Sequence, residues 1–249
     1  MKLFGRSKRE KNDFSDFPVI GGLMVSKMVT EKKMKPLFMY REKRANRQDS
    51  GWRIFSGFET QEFADDPNNT GIYNPSTILQ IDSTIADLLL SGVGSIFERQ
   101  DPNSEWYRVT GFELDDDHMI VDDMGDHWVL EINNLFEKIQ EDNGDLLYTT
   151  GDKSVRIAIW DLDGVSTDEW MAGLRRSLES KQGETLDFSD ETVTRIGYET
   201  RESYETMEYD VIYGYSIVDD HVAQLAFYYD DPGNRAWAME TWKSVTIRA

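Results

Sequence analysis

The chain has 249 residues, of which 39% are hydrophobic and 12% aromatic, so it holds enough apolar material for more than one core. It contains no cysteine, which excludes disulfides, thiolate metal sites and cysteine nucleophiles. Its net charge of −20 disfavours binding to nucleic acid or to anionic lipid and favours cationic partners.

The acidic residues are concentrated in the C-terminal part of the chain. Residues 1–110 carry 16 Lys and Arg against 15 Asp and Glu, a net charge of +1. Residues 111–249 carry 11 against 32, a net charge of −21. This asymmetry predicts two domains with different surfaces, the second of which attracts basic proteins.

Residues 1–17 are predicted to form a basic flexible tail. Charged and polar residues stand where a signal peptide has its apolar region, and no run approaches the ~18 apolar residues of a membrane-spanning helix. We therefore expect a cytoplasmic location and no membrane contact.

Short strand-like runs separated by turn residues follow this tail. Strands are predicted at residues 19–26, 36–42, 52–56, 95–99 and 106–112. Residues 64–73 are predicted to be a loop because they contain Asp-Asp-Pro-Asn-Asn and Gly71, and residues 82–90 a short helix with Ser83 as its cap. Alternation in the third strand points Trp52 and Ile54 to one face and Arg53 and Phe55 to the other, so one of these pairs is expected in the core.

The next stretch is more strongly charged. It predicts a charged hairpin over residues 115–126, a strand at 128–132 and a helix at 133–141. Gly144 is taken as the domain boundary. The first domain then covers residues 18–143 with an acidic C-terminal extension, and the second covers residues 144–249.

The second domain shows the order strand, helix, antiparallel meander, helix. Residues 155–160 form an apolar strand, Ser166 caps a helix, and Asp219-Asp220 turns one alternating strand into the next. A last helix begins near Asn234. Both domains are thus α+β, each a mostly antiparallel sheet with a few packed helices.

Several segments of the first domain resemble a known family. They are Gly21-Gly22-Leu-Met-Val-Ser26, Met39-Tyr40-Arg41, Asp49-Ser50-Gly51-Trp52-Arg53-Ile-Phe55-Ser56-Gly57, Asn69-Thr-Gly71-Ile-Tyr73 and Phe97-Glu98-Arg99. In this order they resemble a bacterial family of small immunity-protein-like domains of polymorphic toxin systems, over residues 18–110. The resemblance implies an acidic immunity-type protein that neutralises a cognate toxin by direct binding, without catalysis.

The last hundred residues resemble the Mog1/PsbP-like fold. The likeness lies in the order of elements and in Phe227-Tyr-Tyr-Asp-Asp-Pro232 leading into a helix that carries tryptophan. It covers residues 147–249 and implies a binding scaffold.

Two other functions stay open at this point. The segment Ile157-Ala-Ile-Trp-Asp161-Leu-Asp163-Gly164-Val165 resembles the first motif of haloacid-dehalogenase-type phosphatases, in which Asp161 would be the nucleophile and Asp163 the acid, with Mg²⁺. Only 88 residues follow Asp161, too few for that fold, so we interpret the motif as a strand end and an acidic helix entry. The second alternative is an adaptor or scaffold protein of a secretion system.

The candidate contact residues are polar and lie in two segments. We predict that a toxin with a basic surface is bound by Asp65, Asp66, Asn68, Asp115, Asp116, Asp117, Asp122, Asp123 and Asp126. No catalytic residue, cofactor or metal site is predicted, and the sequence leaves open whether the acidic runs bind a divalent ion.

Overall fold

The structure, a computed structural model, describes residues 14, 16–179, 181, 184–204, 207–229 and 231–248. Most of the predicted tail, residues 1–13 and 15, therefore lies outside the described residues. The chain divides into two compact units, Met1–Leu114 (unit 1) and Asp115–Ala249 (unit 2). Both combine sheets with short helices, which confirms the α+β class. No helix in the described ranges is long and apolar enough to cross a membrane.

Unit 1 is built on one sheet. Its described strands are β1 (Gly22–Ser26), β2 (Phe38–Arg41), β3 (Asp49–Phe55), β4 (Thr70–Tyr73), β5 (Ile96–Glu98) and β6 (Tyr107–Arg108). They lie in the order β4-β1-β3-β2-β5-β6. All neighbours are antiparallel except β1 and β3, which are parallel.

Unit 1 also contains short helices. They are α1 (Lys27–Thr30), α2 (Gln61–Asp65) and α3 (Pro75–Leu79), with 3-10 turns at Pro67–Asn69, Ser83–Ile85 and Leu88–Leu90. Helices α1 and α3 pack on the core face of the sheet, and α2 has no buried residue. The prediction of a loop over residues 64–73 was wrong, because the Thr60 side chain caps α2 and residues 70–73 pair with β1. The single helix predicted over residues 82–90 is instead two 3-10 turns, and Asp82, held by Arg99, caps the first in place of Ser83.

The core of unit 1 lies under the sheet face that carries Trp52 and Ile54. Both side chains are fully buried, and the indole Nε1 of Trp52 donates a hydrogen bond to the Leu89 carbonyl at 3.0 Å. Strand alternation therefore places Arg53 and Phe55 on the opposite face, called here the outer face.

Unit 2 contains two sheets. Its described strands are β7 (Met119–Gly125), β8 (Trp128–Asn133), β9 (Glu137–Gln140), β10 (Leu146–Thr149), β11 (Lys153–Asp161), β12 (Glu184–Asp187), β13 (Thr194–Tyr204), β14 (Met207–Val218), β15 (His221–Tyr229) and β16 (Thr246–Ile247). The larger sheet has the order β12-β13-β14-β15-β11-β10-β9 and the smaller one β16-β8-β7. All pairs in both are antiparallel.

The helix predicted over residues 133–141 was wrong. Asn133 Oδ1 accepts a hydrogen bond from the Leu135 N–H at 2.9 Å and closes a turn, and Phe136 is buried. Residues 137–140 then pair with β10 as strand β9. The polarity of this short run fits the periodicity of a helix as well as that of a strand. Pairing with β10 makes it a strand.

Two helices pack on opposite faces of the larger sheet, α4 (Thr167–Glu179) and α5 (Arg235–Ser244). Trp170 of α4 makes edge contacts with the rings of Trp160 and Tyr215. Trp242 of α5 is fully buried, and its Nε1 donates to Ser216 Oγ at 3.1 Å. Each of the two helices therefore places a tryptophan against the sheet.

The division between the units falls at residues 114 and 115, whereas the sequence pattern places it at residue 144. Strand β8 explains the difference, because its Trp128, Leu130 and Ile132 belong to the same core as Phe227 and Trp242. Strand β16, near the end of the described chain, also pairs with β8. The acidic segment is therefore built into the C-terminal unit.

Candidate partner-binding surfaces

The predicted contact loop of unit 1 is exposed and held by local hydrogen bonds. Asp65, the last residue of α2, accepts a bond from Gln61 Nε2 at 2.8 Å. Asp66 Oδ1 accepts bonds from the backbone N–H and the side-chain amide of Asn68, both at 2.9 Å. The three predicted residues thus form a small exposed polar surface held by local hydrogen bonds.

Asp115, Asp116 and Asp117 open unit 2. The carboxylate of Asp116 accepts a hydrogen bond from Asn134 Nδ2, and that of Asp117 from Asn133 Nδ2, each at 2.8 Å. Asp115 and Asp117 are exposed, whereas Asp116 is half-buried. These bonds fasten the acidic segment to the end of strand β8.

Asp122 is held more tightly than the other predicted contact residues. Its Oδ2 accepts hydrogen bonds from Lys138 Nζ at 2.7 Å and from the Tyr148 hydroxyl at 2.5 Å. Burial alone would raise the pKa of Asp122. The two hydrogen bonds outweigh that effect, so the pKa lies below its ordinary value. Burial and the Asp122 carboxylate raise the pKa of Tyr148. Asp122 therefore serves the packing of unit 2.

Asp123 and Asp126 are exposed at the tip of the β7–β8 hairpin. Asp123 accepts a hydrogen bond from the Gly125 N–H at 2.9 Å, and its other oxygen lies 3.4 Å from Arg248 Nη1. Asp126 occupies a left-handed position of the turn, with φ of 47°. Exposed carboxylates thus stand at both ends of β7.

Sequence reasoning missed an aromatic surface on the outer face of unit 1. Cross-strand pairing places Ile72, Met24, Arg53 and Tyr40 in one row on this face. Ring centroids 5.2–6.4 Å apart join Phe38, Tyr40, Phe55 and Phe112. The exposed fraction is 76% for Ile72 and 38% for Phe112. The run Phe-Met-Tyr in β2 is the signal that could have revealed it, because it makes both faces of the strand apolar.

A buried ion cluster lies in the same face. Arg53 donates to both carboxylate oxygens of Asp49, at 2.9 and 2.8 Å, and its Nε donates to Glu42 Oε1 at 2.7 Å. Burial acts to raise the pKa of Asp49, but the bonds from Arg53 and from the N–H groups of Gly51 and Ala45 lower it to about 2. The cluster pairs the charge of the buried Arg53 with two partly exposed carboxylates on the outer face.

The motif around Asp161 does not assemble a phosphatase site. Asp161 Oδ1 lies 2.6 Å from His221 Nδ1 on the neighbouring strand, and this bond raises the pKa of His221. The described strands beside it are all antiparallel, whereas the phosphatase fold needs parallel strands joined by helices. Within the described ranges, no three His, Cys, Asp or Glu side chains are grouped so that they could hold a metal ion.

Comparison with protein families gives one match. Residues 23–110 match the model of the Immunity protein Imm33 domain, which confirms the resemblance seen in the first half of the chain. The matched range contains nearly all of strands β1 to β6, whereas Phe112 of the aromatic surface lies beyond it. No curated protein matches the chain.

Two solved structures are similar to parts of the chain. One is a crystal structure of a protein from Bacteroides thetaiotaomicron VPI-5482, with 13% identity and a TM-score of 0.42, covering 49% of this chain and 46% of that one. The other is the solution structure of cyanobacterial PsbP (CyanoP) from Synechocystis sp. PCC 6803, with 10% identity and a TM-score of 0.39, covering 56% of this chain and 97% of that one. This chain thus spans about half the length of the first. Likenesses with TM-scores below 0.5 establish no fold, so the Mog1/PsbP-like resemblance of unit 2 stays a prediction.

Proposed function

We propose that this chain is an immunity-type protein that neutralises a bacterial toxin by binding it directly in the cytoplasm, without catalysing a reaction. The match of residues 23–110 to an immunity-protein domain carries the proposal. No catalytic, cofactor or metal site is part of it.

The outer face of unit 1 supports a binding role. It offers the exposed edges of an aromatic cluster and the exposed Ile72. Aromatic side chains are enriched at protein interfaces, because they bury large areas with few rotatable bonds. The buried Arg53 cluster gives this face a rigid base, which limits the entropy lost on binding.

The charge of unit 2 supports a cationic partner. Residues 115–249 carry 11 Lys and Arg against 31 Asp and Glu, a net charge of −20, whereas residues 1–114 are neutral in sum. A toxin that acts on nucleic acid needs a basic cleft, and an anionic protein reaches such a cleft quickly through electrostatic steering.

Co-expression tests the proposal. The chain is produced in cells that also express the toxin encoded beside it, and we expect growth to be restored. Ile72→Lys puts a charge on the outer face and should reduce the rescue. Val165→Lys makes the same change at an exposed position of unit 2 (44% exposed) and should leave rescue intact.

Failure of the unaltered chain to restore growth would contradict the proposal. If a pull-down then returned secretion components and no toxin, the adaptor alternative would replace it.

A further inference from the structure

Strand β7 presents a free edge to solvent. It pairs with β8 on one side, and no other described strand pairs with it. Asn134 N donates to the His118 carbonyl at 2.8 Å, so residues 118, 120 and 122 form the hydrogen-bonded pairs of this ladder. The backbone N–H and C=O groups of Met119, Val121 and Asp123 therefore point away from β8.

Two side-chain contacts confirm this register. The N–H of Glu131, the residue opposite Val121, is bonded to Ser244 Oγ at 2.9 Å and is turned away from β7. On the other edge, the Asp123 carbonyl accepts a hydrogen bond from Lys138 Nζ at 2.5 Å. The Asp123 N–H is also engaged, with the Asp122 carboxylate, whereas no described group pairs with the outward backbone groups of Met119 and Val121.

The side chains along this edge are unusual for an unprotected strand. Met119 is 61% exposed and Val121 is 58% exposed, side by side on the solvent face. Natural proteins protect free edges with lysine, proline, bulges or covering loops, because a free apolar edge pairs with other chains. This edge is open over its apolar half.

The charged side chains around the free edge of β7 determine which kind of segment can pair with it. Asp115 and Asp117 stand before the strand, and Asp123 and Asp126 stand at its end, all exposed. A second copy of this chain would bring these carboxylates against its own, which disfavours self-pairing. A cationic segment is favoured, and Lys138 already places an ammonium group on Asp122 and on the Asp123 carbonyl.

We propose that the edge of β7 binds an extended segment of the partner protein, with alternating basic and apolar residues, as an additional strand. Main-chain hydrogen bonds to residues 119 and 121 supply the pairing, Met119 and Val121 contact its apolar side chains, and the flanking aspartates bind its cations. The inference rests on the proposed function only for the identification of the partner as the toxin.

The pairing is tested on the full-length chain with a synthetic nine-residue peptide of alternating lysine and valine. We expect amide hydrogen exchange at Met119 and Val121 to slow at least tenfold at saturating peptide. A peptide of alternating glutamate and valine should leave it unchanged. If these amides were protected in the absence of peptide, and if that protection rose with protein concentration, the occupant would be a second copy of the chain. That result would overturn the proposal.

Two variants separate edge pairing from general attraction. Val121→Pro removes the outward N–H but leaves the β8 ladder complete, so it should weaken peptide binding at least tenfold. Val121→Thr keeps that N–H and should bind as the unaltered chain does; near-ultraviolet circular dichroism checks that both variants fold. Equal binding by the two variants, or no binding of the lysine peptide by the unaltered chain, would refute edge pairing. If the unaltered chain still restores growth in that case, the proposed function holds although edge pairing does not.

Discussion

Arg53 is a cation buried in a sheet face, and its two carboxylate partners make this possible. Alternation in the sequence favoured Trp52 for the core, and it gave no sign that Arg53 on the opposite face is buried as well. The sequence could not reveal that Asp49 and Glu42 lie beside Arg53, because Glu42 comes from the end of another strand. Burying the ion is tolerable only because its hydrogen bonds are satisfied.

The Asp49 carboxyl should make stability depend on pH in acid. Its pKa of about 2 lies below the ordinary 3.8, so its contribution is complete above pH 4 and is lost as the pH falls toward 2. We expect the free energy of unfolding to fall by about 2 kcal/mol more in the unaltered chain than in Asp49→Asn between pH 4 and pH 2. Urea unfolding at each pH measures this.

Asp65→Asn is the matched control, because it removes an exposed carboxylate whose described hydrogen bond comes from a glutamine. It should keep the acid dependence of the unaltered chain. Identical pH profiles for Asp49→Asn and the unaltered chain would contradict the role given to the Arg53 cluster.

At the scale of elements, strong periodicity was a reliable guide and short mixed runs were not. The two alternating strands predicted on either side of Asp219-Asp220 and the helix predicted after Ser166 are present as β14, β15 and α4. Strand β9 was predicted as a helix, since its pairing with β10 depends on contacts that no local pattern encodes. The free edge of β7 was likewise invisible, because the sequence gives strand content but not strand order.

Helix α5 docks on the larger sheet because two glycines leave room for Trp242. A Cβ added at Gly214 would lie 2.4 Å from the indole ring, and one added at Gly197 would lie 2.1 Å from the Tyr213 carbonyl oxygen. We expect Gly214→Ala to lower the free energy of unfolding by about 2–3 kcal/mol, because the buried ring must shift.

Gly173 provides the opposite case within the same unit. It lies inside α4, and a Cβ added there meets nothing within 4 Å. Gly173→Ala should therefore raise stability by about 0.5–1 kcal/mol. Urea denaturation of both variants tests the pair, and equal effects of the two substitutions would contradict this account of how α5 packs.

At the scale of the whole molecule, the chain combines a near-neutral unit that matches an immunity domain with a strongly acidic unit. The charge asymmetry was evident in the sequence, and so was the order of strand, helix, antiparallel meander and helix in the last hundred residues. The structure divides the chain between residues 114 and 115, because β7 and β8 precede Gly144 in the chain but share a core with α5.

Fragments test where the second unit begins. Residues 115–249 keep β8 with its Trp128 and should unfold cooperatively in urea. Residues 144–249 lack β8, which leaves Trp242 uncovered and β16 unpaired, and should not fold cooperatively. Cooperative unfolding of the shorter fragment with near-native stability would support a boundary at residue 144 instead.

The central claim is that the protein neutralises the toxin by binding to it, without making or breaking a covalent bond. The direct measurement is a titration of purified toxin with this protein, following toxin activity against molar ratio. We predict a linear fall to zero at a fixed stoichiometric ratio, with toxin of unchanged mass and full activity recovered after separation in denaturant and refolding. Loss of activity far below stoichiometry, or a toxin of altered mass, would contradict the account.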